Sequence, residues 1–174
     1  MKNCRLLTMM CLVMLIFQFC RPSGNPEIAE EKTIEEHLQE AMFIQRAAID
    51  GMQAIALGQL AAEKAVQPTL KTYGAQMAGN YEEINTSLRQ LAGSKGIKFP
   101  PSLPREEQDR IQQMREMKVE YFEKLYLRIM IQGLRKDITL FKGAEKAPDT
   151  AIVGFASKYL PKLEQQLQKA LSLQ

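Results

Sequence analysis

Cysteine and histidine, the side chains that most often bind metals or act as nucleophiles, are scarce in this sequence and confined to its start. Cys4, Cys11 and Cys20 all fall in the first 20 residues, and His37 is the single histidine. The body of the chain therefore lacks the side chains needed for a zinc cage, a Cys–His dyad or a Ser-His-Asp triad. We expect no catalytic constellation, no metal and no cofactor.

Carboxylates on the predicted helices leave one metal alternative open, a site built from Glu side chains alone. The candidates are Glu63, Glu82, Glu120, Glu123 and Glu164. Di-iron bundles use paired Glu-x-x-His motifs, which do not occur here. Solvent-exposed surface is therefore the favoured interpretation of these residues.

The overall composition indicates one domain without a strongly charged surface. The chain has 174 residues, 45% of them hydrophobic, and 23 Lys and Arg stand against 20 Asp and Glu. This length suits a single domain with a real core. The near-neutral charge argues against a nucleic-acid partner, because nucleic-acid binders neutralise many phosphates.

The first 20 residues have the layout of a bacterial export signal. Lys2 and Arg5 precede an apolar run over residues 6–19. About 18 apolar residues are needed to span a bilayer, so this run is shorter than a typical transmembrane helix. It ends at Cys20, as in bacterial lipoprotein signals, in which the cysteine becomes the first mature residue and carries acyl chains.

We therefore predict a signal peptide over residues 1–19, lipidation at Cys20 and a flexible tether over residues 20–33. The membrane would then be a partner through the lipid anchor, and the protein a periplasmic or outer-membrane lipoprotein of the cell envelope. Lipoprotein signals usually carry Leu and small residues where residues 17–19 read Phe-Gln-Phe. An uncleaved anchor and a soluble secreted form therefore stay open.

Hydrophobic periodicity predicts four long helices over residues 34–174 and no strands. Apolar side chains recur at steps of three and four, the spacing of one helix face. Pro68 opens the second helix, and the Pro-rich linker 98–104 separates two helical hairpins. A break near Lys118 is expected in the third segment, and Pro161 should kink the fourth. The predicted fold is an all-α, antiparallel four-helix bundle.

Short motifs from about Leu38 to Leu171 carry a family resemblance. The matching residues are Phe43, Ala47, Ala48, Gly51, Met52, Leu57, Gly58, Leu60, Ala61, Lys64, Ala65, Met77, Asn85, Leu88, Leu91, Ala92, Lys95, Gly96, Pro100, Phe122, Tyr126, Asp137, Phe141, Phe155, Ala156, Leu160, Pro161, Leu163, Leu167 and Ala170. Together they resemble the bacterial domain of unknown function 4142 family, whose members are often described as outer membrane proteins. The resemblance implies an exported, ferritin-like four-helix bundle.

The resemblance also implies a family metal centre whose ligands this chain lacks. Members carry Asp-His in the second and third helices, a His in the fourth and often a Glu in the first. The matching positions here hold Ala54, Asn80-Tyr81, Gly133-Leu134 and Gln166. Helical spacing places Tyr81, Leu134 and Gln166 on inward faces, so ordinary packing should replace the centre. Tyr81 and Gln166 then need hydrogen-bond partners, such as each other or a buried water.

These features favour a non-catalytic envelope protein that acts as an interaction or stress-related module with an unknown envelope partner. Two alternatives remain open. One is a ferritin-like metalloprotein with carboxylate ligands. The other is a small-molecule binder in the bundle core, with Tyr81 and Gln166 as polar contacts.

Overall fold

The computed structural model describes the backbone of residues 26–174 and the side chains of residues 33–174. The described residues form five helices and no strand: α1 (Pro26–Lys64), α2 (Pro68–Ser94), α3 (Arg105–Glu116), α4 (Val119–Ala144) and α5 (Thr150–Leu171). The prediction of an all-α fold is confirmed. The predicted signal peptide and Cys20 lie outside the described residues. The chain divides into two units, Met1–Glu35 and Glu36–Gln174, and the second holds the core.

Local chemistry sets most helix boundaries. Pro68 occupies the first turn of α2, where its missing N–H costs no helical hydrogen bond. Just beyond the end of α2, Gly96 has a φ of 66°, a left-handed conformation that favours glycine. Asp149 caps α5 by accepting hydrogen bonds from the backbone N–H groups of Ala151 and Ile152, both at 2.9 Å.

The first helix begins earlier than the sequence pattern predicts. α1 starts at Pro26 and not at Ile34. Proline is favoured in a first helical turn, and the residues that follow it are mostly Glu, Ala, Lys and Ile, with no glycine or further proline. The prediction of a flexible tether over residues 20–33 is therefore wrong for residues 26–33, which are helical.

The third predicted segment is divided near Lys118, as expected. Met117 and Lys118 have extended backbones, with ψ of 152° and 143°, and they separate α3 from α4. α5 continues through Pro161 to Leu171. Among the described helices, none is long and apolar enough to cross a bilayer.

Four helices share the core. Phe43 on α1 packs its ring edge against Phe141 on α4, with ring centroids 5.5 Å apart, and against Phe155 on α5 at 6.1 Å. Tyr73 on α2 meets Tyr126 on α4 at 6.4 Å. α1, α2, α4 and α5 therefore form the bundle, while α3 is a short, polar helix between its two halves.

α1 and α2 form a tight antiparallel pair. A Cβ added at Gly58 would lie 2.6 Å from the backbone oxygen of Gly74, and one added at Gly74 would lie 2.7 Å from that of Gly58. The backbones therefore touch where these glycines face each other. A side chain at either position would push the two helices apart.

Candidate functional site

Two buried polar side chains meet between α2 and α4. Tyr81 and Asp137 are each 3% exposed, and the Tyr81 hydroxyl donates a hydrogen bond to Oδ2 of Asp137. Each lies on the buried stripe of its helix, so packing α2 against α4 brings them together. Burial raises the pKa of Tyr81 well above its ordinary value, and the Asp137 carboxyl raises it further. The phenol therefore stays protonated and acts as the donor.

The other carboxyl oxygen of Asp137 has no hydrogen-bond partner among the described residues, although it is buried. Burial raises the pKa of this carboxyl from the ordinary 3.8 to about 7, against the opposing effect of the Tyr81 hydrogen bond. Among nearby charges, Asp50 raises the pKa further, while Arg46 and Lys136 lower it. An unpaired acceptor that is partly ionised near neutral pH is costly to bury, by about 1–3 kcal/mol or more.

A cavity of about 400 Å³ lies beside this pair, with walls from α1, α3 and α4 and with Tyr81 of α2 in its lining. At Gly133, on one wall, an added Cβ would meet no atom within 4 Å, so the space there is open. Protein cavities that bind small molecules enclose about 300–1,000 Å³, so the volume suits a small ligand. The buried part of the lining consists of Ala54, Leu57, Tyr81, Met130, Leu134 and Asp137.

Charged side chains in the outer part of the lining pair with one another. Arg46 Nε lies 2.7 Å from Oδ2 of Asp50, both on α1. On α3, Arg110 lies 3.3 Å from Glu106 and 3.2 Å from Glu107. These pairs hold two arginines next to carboxylates. Asp137 lines the inner end of the same cavity, and its Oδ1 accepts no hydrogen bond from the described residues.

Three of the four predicted core positions line this one cavity. Ala54, Tyr81 and Leu134 are buried there, from α1, α2 and α4 respectively. Gln166 is also buried, at 8% exposure, but is not part of the lining. That these positions replace metal ligands of the family stays a prediction.

The sequence predicts that Tyr81 and Gln166 find hydrogen-bond partners in each other or in a buried water, and the structure gives Tyr81 a different one. Tyr81 pairs with Asp137, a stronger acceptor than an amide when ionised. The backbone carbonyl of Gln166 accepts a hydrogen bond from the Tyr73 hydroxyl at 3.3 Å. Its side-chain Oε1 has no partner among the described residues. The described residues therefore show no hydrogen bond between Tyr81 and Gln166, the first of the two expected partners.

Asp137 is the residue that sequence reasoning misses. It matches the family pattern, but the pattern assigns it no role. A signal is present, because Asp137 falls on the same helical stripe as Leu134, Ile138 and Phe141. A carboxyl on an apolar stripe needs a specific partner, since burying a charge is costly.

The candidate metal carboxylates do not assemble. Glu63 pairs with Arg115 at 2.8 Å, and Glu164 pairs with Lys142 at 2.8 Å. Across residues 33–174, no three His, Cys, Asp or Glu side chains lie close enough to hold a metal ion. None of the five candidate glutamates is buried: Glu63, Glu82, Glu120, Glu123 and Glu164.

Comparison with known proteins places the bundle in a family. The sequence model of the family described as "Domain of unknown function (DUF4142)" matches residues 24–173, and the chain belongs to this family. The crystal structure of a DUF305 fragment from Deinococcus radiodurans has a similar fold, with a TM-score of 0.69 and 16% sequence identity. The match covers 78% of this chain and 94% of that one. No curated protein matches the chain.

Proposed function

We propose that this chain is an exported, lipid-anchored protein of the cell envelope whose bundle binds a small polar molecule in the cavity beside Tyr81 and Asp137. The role is binding and not catalysis. One observation carries the proposal: Asp137 is 3% exposed, lines a cavity of about 400 Å³ and has one carboxyl oxygen without a hydrogen-bond partner among the described residues.

Folding alone gains nothing from leaving Oδ1 of Asp137 without a donor. A buried acceptor without a donor costs about 1–3 kcal/mol, and an ionised one costs more. A ligand that donates a hydrogen bond to Asp137 Oδ1 would remove that cost. Perturbed carboxyls in cavities are frequent at functional sites for this reason.

Thermal shift assays against a collection of small polar metabolites test the binding role. We expect at least one compound to raise the Tm of the wild-type protein and not that of Gly133→Leu, whose added side chain enters the open space. Gly79→Leu is the matched control, because Gly79 is an exposed glycine on α2 that does not line the cavity. Equal shifts in wild type and Gly133→Leu for every active compound would refute the proposal.

The lipid anchor rests on the sequence and has its own test. Metabolic labelling with a fatty acid should mark the wild type and leave Cys20→Ala unlabelled. Cys11→Ala, within the predicted signal peptide, is the control and should be labelled like the wild type. Equal labelling of the Cys20 variant would defeat the assignment. Binding to an envelope protein stays a prediction.

A further inference from the structure

We infer that the ligand of this cavity carries an organic primary ammonium group, which pairs with the carboxylate of Asp137. The inference rests on the proposed function and adds the chemical class of the ligand. Four carboxyl side chains and three cationic side chains line the cavity. Some of these charges pair with one another, and the others are available to a ligand.

Once Asp137 is ionised, the buried lining of the cavity offers acceptors and no free donor. The Tyr81 hydroxyl donates its hydrogen bond to Asp137 Oδ2, and the hydroxyl oxygen keeps lone pairs that can accept another. Asp137 Oδ1 is a second acceptor. The other buried lining side chains are apolar: Ala54, Leu57, Met130 and Leu134. The ligand must therefore supply the hydrogen atoms.

Electrostatics favour a cationic donor over a neutral one. Asp50 also lines the cavity, and its side chain is 17% exposed, so a second carboxylate acts on the same space. Arg46 pairs with Asp50, and Arg110 pairs with Glu106 and Glu107. Two of the three cations are thus already neutralised, whereas Asp137 has no cationic partner. An anionic ligand would meet like charge at the inner end.

Geometry favours an ammonium over a guanidinium. A guanidinium binds a carboxylate best through two parallel hydrogen bonds, one to each oxygen. Asp137 Oδ2 already accepts from Tyr81, so a guanidinium bound to both oxygens would share Oδ2 with the phenol. An ammonium is a compact charge with three N–H donors, and it needs only one oxygen of the carboxylate as an acceptor. Short methylene groups would then contact the apolar lining.

Two kinds of compound with an ammonium group fit the residues at the cavity rim, an alkylamine and an amino acid. Lys136 is exposed at the rim, and no hydrogen bond or ion pair within the described residues engages its ammonium group. A carboxylate on the far end of an amino acid could pair with it. Both sources share the ammonium group, so an assay can separate them by the second group.

Isothermal titration calorimetry at pH 8 tests the inference with propylammonium and 4-aminobutyrate as probes. 1-Propanol, propionate and propylguanidinium are the neutral, anionic and planar comparisons. We expect saturable one-to-one binding of propylammonium that is at least about tenfold tighter than binding of the comparison compounds, the weakest effect expected of one charge-assisted hydrogen bond. Tighter binding of 4-aminobutyrate would identify an amino acid, and equal binding would identify an amine.

Two variants locate the binding. Asp137→Asn should weaken propylammonium binding by at least about tenfold, because it removes the charge and keeps the shape. Gly133→Leu should abolish binding by filling the space. Asp109→Asn is the control, since Asp109 is exposed and lies outside the lining, and it should bind like wild type.

The outcomes separate this inference from the proposed function. Binding of 1-propanol that equals propylammonium and is lost in Gly133→Leu would overturn the ammonium inference and leave the binding role intact. Propylguanidinium binding more tightly than propylammonium would also overturn it. Propylammonium binding that persists in both Asp137→Asn and Gly133→Leu would place the ligand elsewhere and overturn it. If the amine and every metabolite tested fail to bind, both proposals fail.

Discussion

The hydroxyl of Tyr81 on α2 donates a hydrogen bond to Oδ2 of Asp137 on α4, and the two side chains are each 3% exposed. This bond joins the two helical hairpins at the inner end of a cavity. It also leaves the second oxygen of Asp137 unpaired among the described residues. The hydrogen bond therefore connects α2 to α4, while the second carboxyl oxygen is buried without a donor.

Removing the Tyr81 hydroxyl should destabilise the protein more at pH 8 than at pH 5. Tyr81→Phe leaves both oxygens of Asp137 without a donor, at a cost of about 1–3 kcal/mol, and the cost is larger for an ionised carboxyl. Urea unfolding at the two pH values measures it. Tyr121→Phe is the control, because Tyr121 is 67% exposed, and it should change stability by less than about 0.5 kcal/mol. Equal stability of Tyr81→Phe and wild type at pH 8 would argue against the hydrogen bond.

Asp137 should make the protein less stable as the pH rises through neutrality. The folded-state pKa of about 7 lies above the ordinary 3.8, so the folded state binds the proton more tightly. The resulting stabilisation is fully present below the unfolded-state pKa and is lost as pH rises through the folded pKa. The loss is on the order of 3–4 kcal/mol.

Asp137→Asn checks this directly, because Asn does not titrate. The stability of wild type minus that of the variant, from urea unfolding between pH 4 and pH 8, should fall as the pH rises. Other titrating groups cancel in this difference. A difference that stays constant across this range would show that Asp137 keeps an ordinary pKa.

Two glycine substitutions should have opposite effects. Gly58→Ala places a Cβ 2.6 Å from the backbone oxygen of Gly74, and such overpacking costs about 1–3 kcal/mol. Gly133→Ala places one in open space and should stabilise α4 by about 0.5–1 kcal/mol through helix propensity. Thermal unfolding of both variants measures the contrast. Stabilisation by Gly58→Ala would contradict the close approach of α1 and α2.

Lys95 should contribute more to the free energy of unfolding than a surface lysine does. It follows α2 and pairs with carboxylates on α1 and at the start of α5. Its ammonium lies 3.0 Å from Glu40 on α1 and 2.6 Å from Asp149 at the start of α5, and its side chain is 13% exposed. Lys95→Met removes the cation shared by two half-buried carboxylates, Glu40 and Asp149, and should cost about 2 kcal/mol in urea unfolding. Lys142→Met, which breaks an exposed pair with Glu164, should cost less than about 1 kcal/mol. Equal losses would reduce Lys95 to an ordinary surface pair.

Most of the fold follows from local chemistry, which a sequence displays directly. Pro68 acts within one helical turn, so α2 begins where the sequence predicts, and the Asp149 carboxylate caps the start of α5 in the same local way. The sequence predicts the start of α1 too late, at Ile34. The Pro/Gly-rich stretch before residue 26 indicates a flexible segment but does not show where that segment ends. Residues 26–33 have good helix propensity and follow a proline, and these local preferences prevail.

The site is predictable only in part. Helical periodicity correctly indicates that Tyr81, Leu134 and Gln166 are buried, because it reports which face of each helix is apolar. It cannot show that Tyr81 meets Asp137, or that Gln166 lies outside the cavity. Those relationships depend on how the helices are rotated and spaced, which no single helix encodes.

The carboxyl carbon of Asp137 reports most directly on whether this residue binds an ammonium ligand. Carbon-13 NMR at pH 7, with the Asp137 signal assigned by its loss in Asp137→Asn, can follow that carbon while propylammonium is added. With a pKa of about 7, the carboxyl begins close to half ionised. We predict a saturable shift towards the ionised position, absent in Gly133→Leu. A signal that does not move while propylammonium saturates the protein would contradict the assignment of Asp137 as the ligand-binding group.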